Sequence, residues 1–181
     1  RNFLAQASKT TSAWCGLCQR EVAIPLPWVG SNAAPDLREA LVCPSCHLNA
    51  RARAALGLLQ ARHPSADAAI YLTEQASPAF VWLRQRYPSA RGSEYAMAPA
   101  RRQAIEGWLH QQGVPGAIAL EDVTALSFAD ASLDAIGSFD VLEHVPDYHQ
   151  ALREFARVLR PGGELFLTVP FLDNTQQSLV R

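Results

Sequence analysis

The sequence predicts an α/β protein built on a doubly wound parallel sheet, preceded by a small metal-binding module at its N-terminus. Three observations carry this. Residues 120–171 parse as strand end, loop, strand, helix, tight turn and strand, a βαβ unit, and such units close right-handed. Upstream of it, short apolar runs alternate with helical segments, the order that builds a parallel sheet. The four cysteines, Cys15, Cys18, Cys43 and Cys46, form two Cys-x-x-Cys pairs with a 24-residue spacer.

Composition sets the bounds. The chain has 181 residues, 49% of them hydrophobic and 18% charged, with a formal net charge of -1. That is enough apolar material for one core and a small appended unit. The near-neutral balance argues against whole-surface attraction to nucleic acid or to an anionic membrane, leaving at most a local patch. No run of about twenty apolar residues offers a membrane span. The N-terminus lacks the basic stretch and apolar core of a signal peptide, so a cytoplasmic protein is expected. The chain begins at Arg1 rather than Met, as a trimmed or partial chain would. Disulfides are then the poorer reading of the cysteines, because the cytosol keeps thiols reduced.

Residues 1–12 are polar and aperiodic and read as a loose arm or a short helix. Each Cys-x-x-Cys places two thiolates on one tight turn, and two such knuckles complete the tetrahedral S4 cage that Zn2+ accepts. Residues 21–28 are strand-like and supply part of the spacer. Four protein ligands leave no open position, so the zinc is expected to be structural. Redox dithiols, disulfides, or His47 in place of one ligand are the alternatives. Residues 49–62 look helical, with Ala52, Ala55, Leu56 and Leu59 on one face. Arg51 and Arg53 fall on what reads as its solvated face, the alternative being reach to a phosphate or carboxylate. The polar break at 64–67 marks the boundary between residues 1–63, the zinc module with its linking helix, and residues 64–181.

Residues 68–73 (AAIYLT) are the natural first strand, and 78–87 the helix behind it, with Pro78 in its first turn. The run 91–95 (RGSEY) ends a second strand. An acidic residue there accepts hydrogen bonds from ribose hydroxyls in nucleotide-binding sheets; Glu94 fits, against the plainer reading of a solvated loop glutamate. Residues 100–111 are helical and stop before Gly113, and 117–120 form the third strand. Residues 133–139 (LDAIGSF) suit a strand buried on both faces. Asp147 sits at an N-cap position, followed by Tyr148, Ala151, Leu152, Phe155, Val158 and Leu159 at three- and four-residue steps. Arg157 and Arg160 fall in the last turn, and Pro161-Gly162-Gly163 is expected to stop the helix. Residues 164–170 (ELFLTVP) are the last strand, buried in type. No further helix or hairpin is legible after Phe171, which leaves that strand as an edge for a homo-oligomer or another partner to cover.

Residues 120–171 closely resemble the second half of a class I S-adenosylmethionine (SAM)-dependent methyltransferase domain, of the methyltransferase type 11 kind. The carriers are Asp122 before Leu126-Ser127-Phe128, the pair Asp130 and Asp134, Val141-Leu142-Glu143-His144-Val145, and Arg157-Val158-Leu159-Arg160-Pro161-Gly162-Gly163. The resemblance implies a Rossmann-like sheet of order 3-2-1-4-5 with its C-terminal hairpin missing. The cofactor would lie across the carboxyl ends of the first, second and fourth strands, at the topological switch point. Asp122 would accept from the adenine amino group, with the Val123 amide near the ring. Ser138 and Phe139 would end the fourth strand beside the sulfonium, and Glu74, Glu94 and Tyr95 would complete the cofactor contacts. Methyl transfer needs chiefly approximation and orientation. A base is required only where the acceptor must lose a proton; His144 is the natural candidate, and Glu143 would orient it or bind a metal. A structural histidine packing under the loop is the alternative.

One departure stands out. Where the family carries a glycine-rich turn after its first strand, this chain reads Thr73-Glu74-Gln75-Ala76-Ser77-Pro78, with only the small Ala76 and Ser77 to permit close approach. The combination of two Cys-x-x-Cys pairs, TEQ…P, GSEY and DVTALSF resembles a zinc-bearing subgroup that lacks the glycine loop. The function implied is methyl transfer from SAM to a small-molecule or sugar-like acceptor. An RNA methyltransferase is a second reading, with Arg20, Arg38, Arg51, Arg53 and Arg62 available to phosphates, although no run interleaves basic and aromatic residues. A non-catalytic zinc-containing scaffold is a third, since fold does not imply function.

Overall fold

The computed structural model describes residues 10–26 and 37–170. Strands β1 (Thr10–Cys15) and β2 (Arg20–Pro25) pair antiparallel. Their turn is closed by Gln19 N–H donating to the Cys15 carbonyl at 2.8 Å. Residues 10–12, expected in a loose arm, are therefore strand: their backbone groups are taken up by residues 23–25 of β2. A four-residue helix, α1 (Leu37–Ala40), and the second cysteine turn lead into α2 (Ala50–Arg62). Asn49 caps α2, its side chain accepting from Ala52 N–H at 2.8 Å.

The main sheet holds β3 (Ile70–Leu72), β4 (Arg91–Gly92), β5 (Leu133–Phe139) and β6 (Leu159–Thr168), all parallel, in the order β4-β3-β5-β6. The predicted third strand survives only as a parallel bridge between Glu94 and Leu120, on the β4 side, which agrees with the expected order 3-2-1-4-5. Helices α3 (Pro78–Arg86), α4 (Pro99–Gln111) and α5 (Tyr148–Val158) join the strands. Ser77 caps α3 by accepting from Phe80 N–H at 3.1 Å, and Asp147 caps α5 by accepting from Gln150 N–H at 2.9 Å.

Strand alternation assigns each residue to a face. Ile70, Leu72 and Ala135 face α2, α3 and α4, joining Leu56, Leu59, Phe80, Leu83 and Leu109 in one core. Tyr71 and Ile136 face the other way, packing with Leu133, Leu142, Phe155 and Val158. Helix α2, which follows the cysteine turn directly, is thus part of the sheet's own core. Burying Leu56 and Leu59 there stabilises the fold by roughly 1.5–3 kcal/mol each.

The end of α5 differs from the expectation. Leu159 is extended (φ -71°, ψ 135°) and already pairs with Leu133. The helix stops because Ala131 and Ser132 N–H groups take the Arg157 and Val158 carbonyls at 2.9 and 2.8 Å, so no glycine cap is needed. Pro161-Gly162-Gly163 instead makes an irregularity inside β6, between the pairs Leu133–Leu159 and Ala135–Glu164. Gly162 adopts φ +82° there, a backbone that glycine tolerates. Arg160 lies outside the helix and pairs with Asp134 at 2.7 Å. Strand β6 is also less buried than expected: only Phe166 is buried, and Leu167 is 41% exposed, because among the described residues β6 has a partner on one side only. The expectations on residues 1–9, 27–28 and those after Phe171 lie outside the described residues.

Candidate cofactor edge and metal centre

The metal centre is assembled from two remote turns. Cys15 ends β1, Cys18 sits in the hairpin turn, and Cys43 and Cys46 occupy the turn before α2. Their four Sγ atoms all lie within 4.8 Å of one another, with Cys15–Cys46 and Cys18–Cys43 both at 3.9 Å. A tetrahedral site with Zn–S near 2.3 Å has S···S edges of roughly 3.8 Å, whereas a disulfide needs about 2.05 Å. The cage therefore fits a tetrahedral S4 metal and excludes disulfides. Cys15 and Cys43 are buried beside Val22 and Ile24. Burial pushes the Cys18 thiol up to about 11. Burial also opposes the Cys43 thiolate, but the N–H groups of Cys46 and Ser45 outweigh it and bring that thiol down to about 6. A dication at the centre is what would let all four ionise together. His47 is exposed and lies outside the ligand group.

The second site follows the carboxyl ends of β3, β4 and β5. The glycine-free turn after β3 is held by side chains instead of close backbone packing. Gln75, buried, donates its amide Nε2 to the Ala117 carbonyl at 3.1 Å, accepts from Ala119 N–H at 2.9 Å, and donates its backbone N–H to Ser93 at 3.0 Å. One residue, through its side chain and its backbone N–H, thus ties the first strand end to the third and to the second. Glu94 accepts from Ala76 N–H at 2.6 Å through Oε1, tying the turn to the second strand end. Next to it, Tyr95 is 75% exposed.

Asp122 is exposed, and its Oδ1 accepts from Thr124 N–H and Oγ1 at 2.9 and 2.7 Å. The Thr124 hydroxyl and amide hold this carboxyl below the usual range. Val123 is half-buried against the α5-side core. Ser138 and Phe139 are both buried, with the Ser138 hydroxyl accepting from Thr73 at 3.3 Å, so at this edge they offer backbone rather than side chains. Glu143 and His144 lie exposed on a 3-10 turn, Leu142–His144, and no hydrogen bond joins their side chains among the described residues.

Glu74 is chemically the most altered residue of the edge. Burial pushes its carboxyl up to about 7, against the pull of Arg51 and with the help of Glu94, Asp140 and Glu39. Arg51 itself corrects the solvated-face reading. It leaves α2 to pair with Glu39 at 2.8 Å and Asp140 at 3.3 Å, and reaches Thr168 Oγ1 at 3.3 Å. Arg51, Gln75 and Asp140 are the edge residues that sequence reasoning missed. The one available signal was position: Arg51 is the second residue of a helix that follows a cysteine knuckle, and Asp140 directly follows the buried strand.

Residues 80–167 match the methyltransferase domain family. Among curated relatives, methyltransferase GfsG of Streptomyces halstedii is 50% identical over 46 residues, 25% of this chain and 16% of its own length. The 27-O-demethylrifamycin SV methyltransferase of Amycolatopsis mediterranei is 45% identical over 53 residues, 27% of this chain and 20% of its own. The chain thus spans a fifth or less of either protein. Among solved structures, geranyl diphosphate methyltransferase in complex with SAM superposes with a TM-score of 0.50 at 17% identity, over 63% of this chain and 47% of that one. A protein from Galdieria sulphuraria assigned as a sarcosine dimethylglycine methyltransferase gives 0.51 at 22%, over 64% and 43%.

The doubly wound sheet with its ligand edge at the strand carboxyl ends is that of a nucleotide-type α/β domain. More narrowly, residues 80–167 match the methyltransferase domain family, and the sheet shares its fold with solved methyltransferases. Glu74, Glu94 and Asp122 bring carboxyl groups to three successive strand ends of this edge, hydrogen-bond acceptors of the kind that an adenosyl amino acid's ammonium, hydroxyls and amine require. No helix among the described residues is long and apolar enough to cross a membrane.

Proposed function

We propose that the carboxyl edge binds SAM and that the protein transfers its methyl group to a small-molecule or sugar-like acceptor. The observation that carries this is the alignment of Glu74, Glu94 and Asp122 on consecutive strand ends of a methyltransferase domain. Bound SAM supplies a methyl group activated on a sulfonium. The chain's own groups bind and orient it. Glu94 accepts from the ribose hydroxyls, Asp122 from the adenine amine with the Val123 amide beside the ring, and Glu74 faces the amino-acid ammonium. Tyr95 covers the nucleoside, and the Ser138–Phe139 backbone borders the sulfonium. Where the acceptor is a hydroxyl, His144 would take its proton. Relatives named for rifamycin and menaquinone precursors support a small-molecule acceptor.

In the same reading Cys15, Cys18, Cys43 and Cys46 hold a structural Zn2+. Residues 1–63 form the zinc module with α2 as its joint, and 64–181 the cofactor-binding part of a cytoplasmic enzyme. The exposed β6 edge is the place for a partner or a second copy. RNA as acceptor is disfavoured, since the guanidinium of Arg51 is committed to Glu39 and Asp140 and that of Arg62 to Glu164 at 2.8 Å. The test is titration of the Glu94→Ala and Asp122→Ala variants with S-adenosylhomocysteine. Each is expected to lose at least tenfold in affinity; Asp122→Ala, at an exposed site, is expected to melt as the unaltered protein does, and Glu94→Ala, which also frees Ala76 N–H, somewhat lower while still folded. Unchanged affinity in both would remove the assignment.

A further inference from the structure

The backbone at the end of β5 is held in an unusual state. Asp140, the residue after Phe139, has φ +56°, a left-handed conformation that a non-glycine residue keeps only when its surroundings fix it. What fixes it comes partly from β6: Asp140 N–H donates to the Thr168 carbonyl at 2.9 Å, and Thr168 Oγ1 donates to Asp140 Oδ1 at 3.0 Å. The rest comes from across the molecule. Arg51 Nε lies 3.3 Å from Asp140 Oδ2, and Arg51 Nη1 donates to Thr168 Oγ1 at 3.3 Å. One guanidinium therefore touches both Asp140, where the loop leading to Glu143 and His144 begins, and the β6 residue that holds it.

The aim of Arg51 is set by the cysteine turn. Glu39 precedes that turn, and Asn49 and Arg51 follow it. The bend between them is closed by Cys43 N–H to the Leu48 carbonyl and His47 N–H to the Cys43 carbonyl, both at 2.9 Å. It brings Glu39 Oε2 within 2.6 Å of Asn49 Nδ2, and Glu39 Oε1 within 2.8 Å of Arg51 Nε. The Arg51 side chain is only 16% exposed, and a planar guanidinium holds several acceptors at fixed angles, which a rotating ammonium on a flexible stem does not.

We propose that Arg51 is a positioning residue for cofactor binding, which couples the cysteine-bound metal turn to the loop after β5. The proposal rests on the reading of the carboxyl edge as the SAM site. Metal in the cage fixes the bend, the bend aims Arg51, and Arg51 holds Asp140 so that the Phe139–Asp140 backbone keeps the shape that borders the ligand.

The experiment compares the unaltered protein with Arg51→Ala and Arg51→Lys. It measures zinc per chain, affinity for S-adenosylhomocysteine, and amide hydrogen exchange at residues 140–144 and at the centre of β3. Arg51→Ala is expected to bind the ligand at least tenfold more weakly and to exchange faster at 140–144, with zinc content and β3 exchange unchanged. Arg51→Lys, retaining charge without the fork, falls between and guards against a variant that fails to fold. Stripping the metal with a chelator is expected to speed exchange at 140–144 in the unaltered protein as well. Unaltered affinity together with unaltered exchange at 140–144 would overturn the proposal. If the unaltered protein binds no ligand, the cofactor reading falls, and exchange at 140–144 alone decides whether Arg51 holds the turn.

Discussion

At the scale of single residues, Glu74 offers a direct handle. Its carboxyl moves from an ordinary 4.5 to about 7, chiefly through burial. Between those values the folded protein holds a proton that the unfolded chain has released. Stability contributed by the neutral form is therefore present at low pH, is lost as pH rises from 4.5 through about 7, and changes no further above it. Glu74→Gln removes this dependence. The variant is expected to gain on the unaltered protein by on the order of 1–3 kcal/mol between about pH 5 and pH 8, checked by thermal melting of both at each pH. A ligand ammonium against Glu74 favours the ionised form, so SAM affinity is expected to rise over the same window.

Residue-scale legibility followed contact range. The strand-end positions of Glu94 and Asp122 were legible because local spacing marks them. Arg51 and Gln75 were not, because their partners are remote: Arg51 meets Thr168 across 117 positions, and Gln75 meets Ala119 across 44. The buried pairing of Arg51 is a tertiary event that helix periodicity cannot encode.

At the scale of elements, helix starts were legible to within a residue, and strand ends were not, apart from those of β5. Asp147 caps α5 as expected, and the structure adds Asn49 and Ser77 as the caps of α2 and α3. Asp147→Ala is expected to cost about 1 kcal/mol, read as a lower denaturation midpoint at unchanged slope. The end of α5 was misjudged because glycine and proline are strong local stop signals, while the actual stop comes from Ala131 and Ser132 across the chain. Gly137 tests the sheet's tightest point. A Cβ there would sit 2.7 Å from Leu72 Cδ1, and Leu72 is fully buried. Gly137→Ala is expected to destabilise by roughly 1–3 kcal/mol through overpacking, whereas Gly107→Ala, with open space around its Cβ, gains from helix propensity.

At the scale of the whole molecule, two units share one structure unequally. The hairpin and cysteine turns have a small core of their own, centred on Cys15, Val22, Ile24 and Cys43, too little to order them without a metal. Protein purified without added metal is expected to carry about one zinc per chain, and a chelator to lower its melting temperature; well under one zinc per chain would contradict the S4 assignment. The doubly wound sheet, its strand order and the cysteine cage were all legible, since each rests on period or spacing. The joint between them was not, because α2 serves both.

The central claim is that this carboxyl edge binds a SAM-type cofactor without a glycine-rich turn. Calorimetric titration of the zinc-loaded protein with S-adenosylhomocysteine tests it most directly. The account predicts saturable binding of one equivalent, weakened by Glu94→Ala. Absence of binding by folded, zinc-loaded protein would contradict it and leave the methyltransferase fold serving as a scaffold.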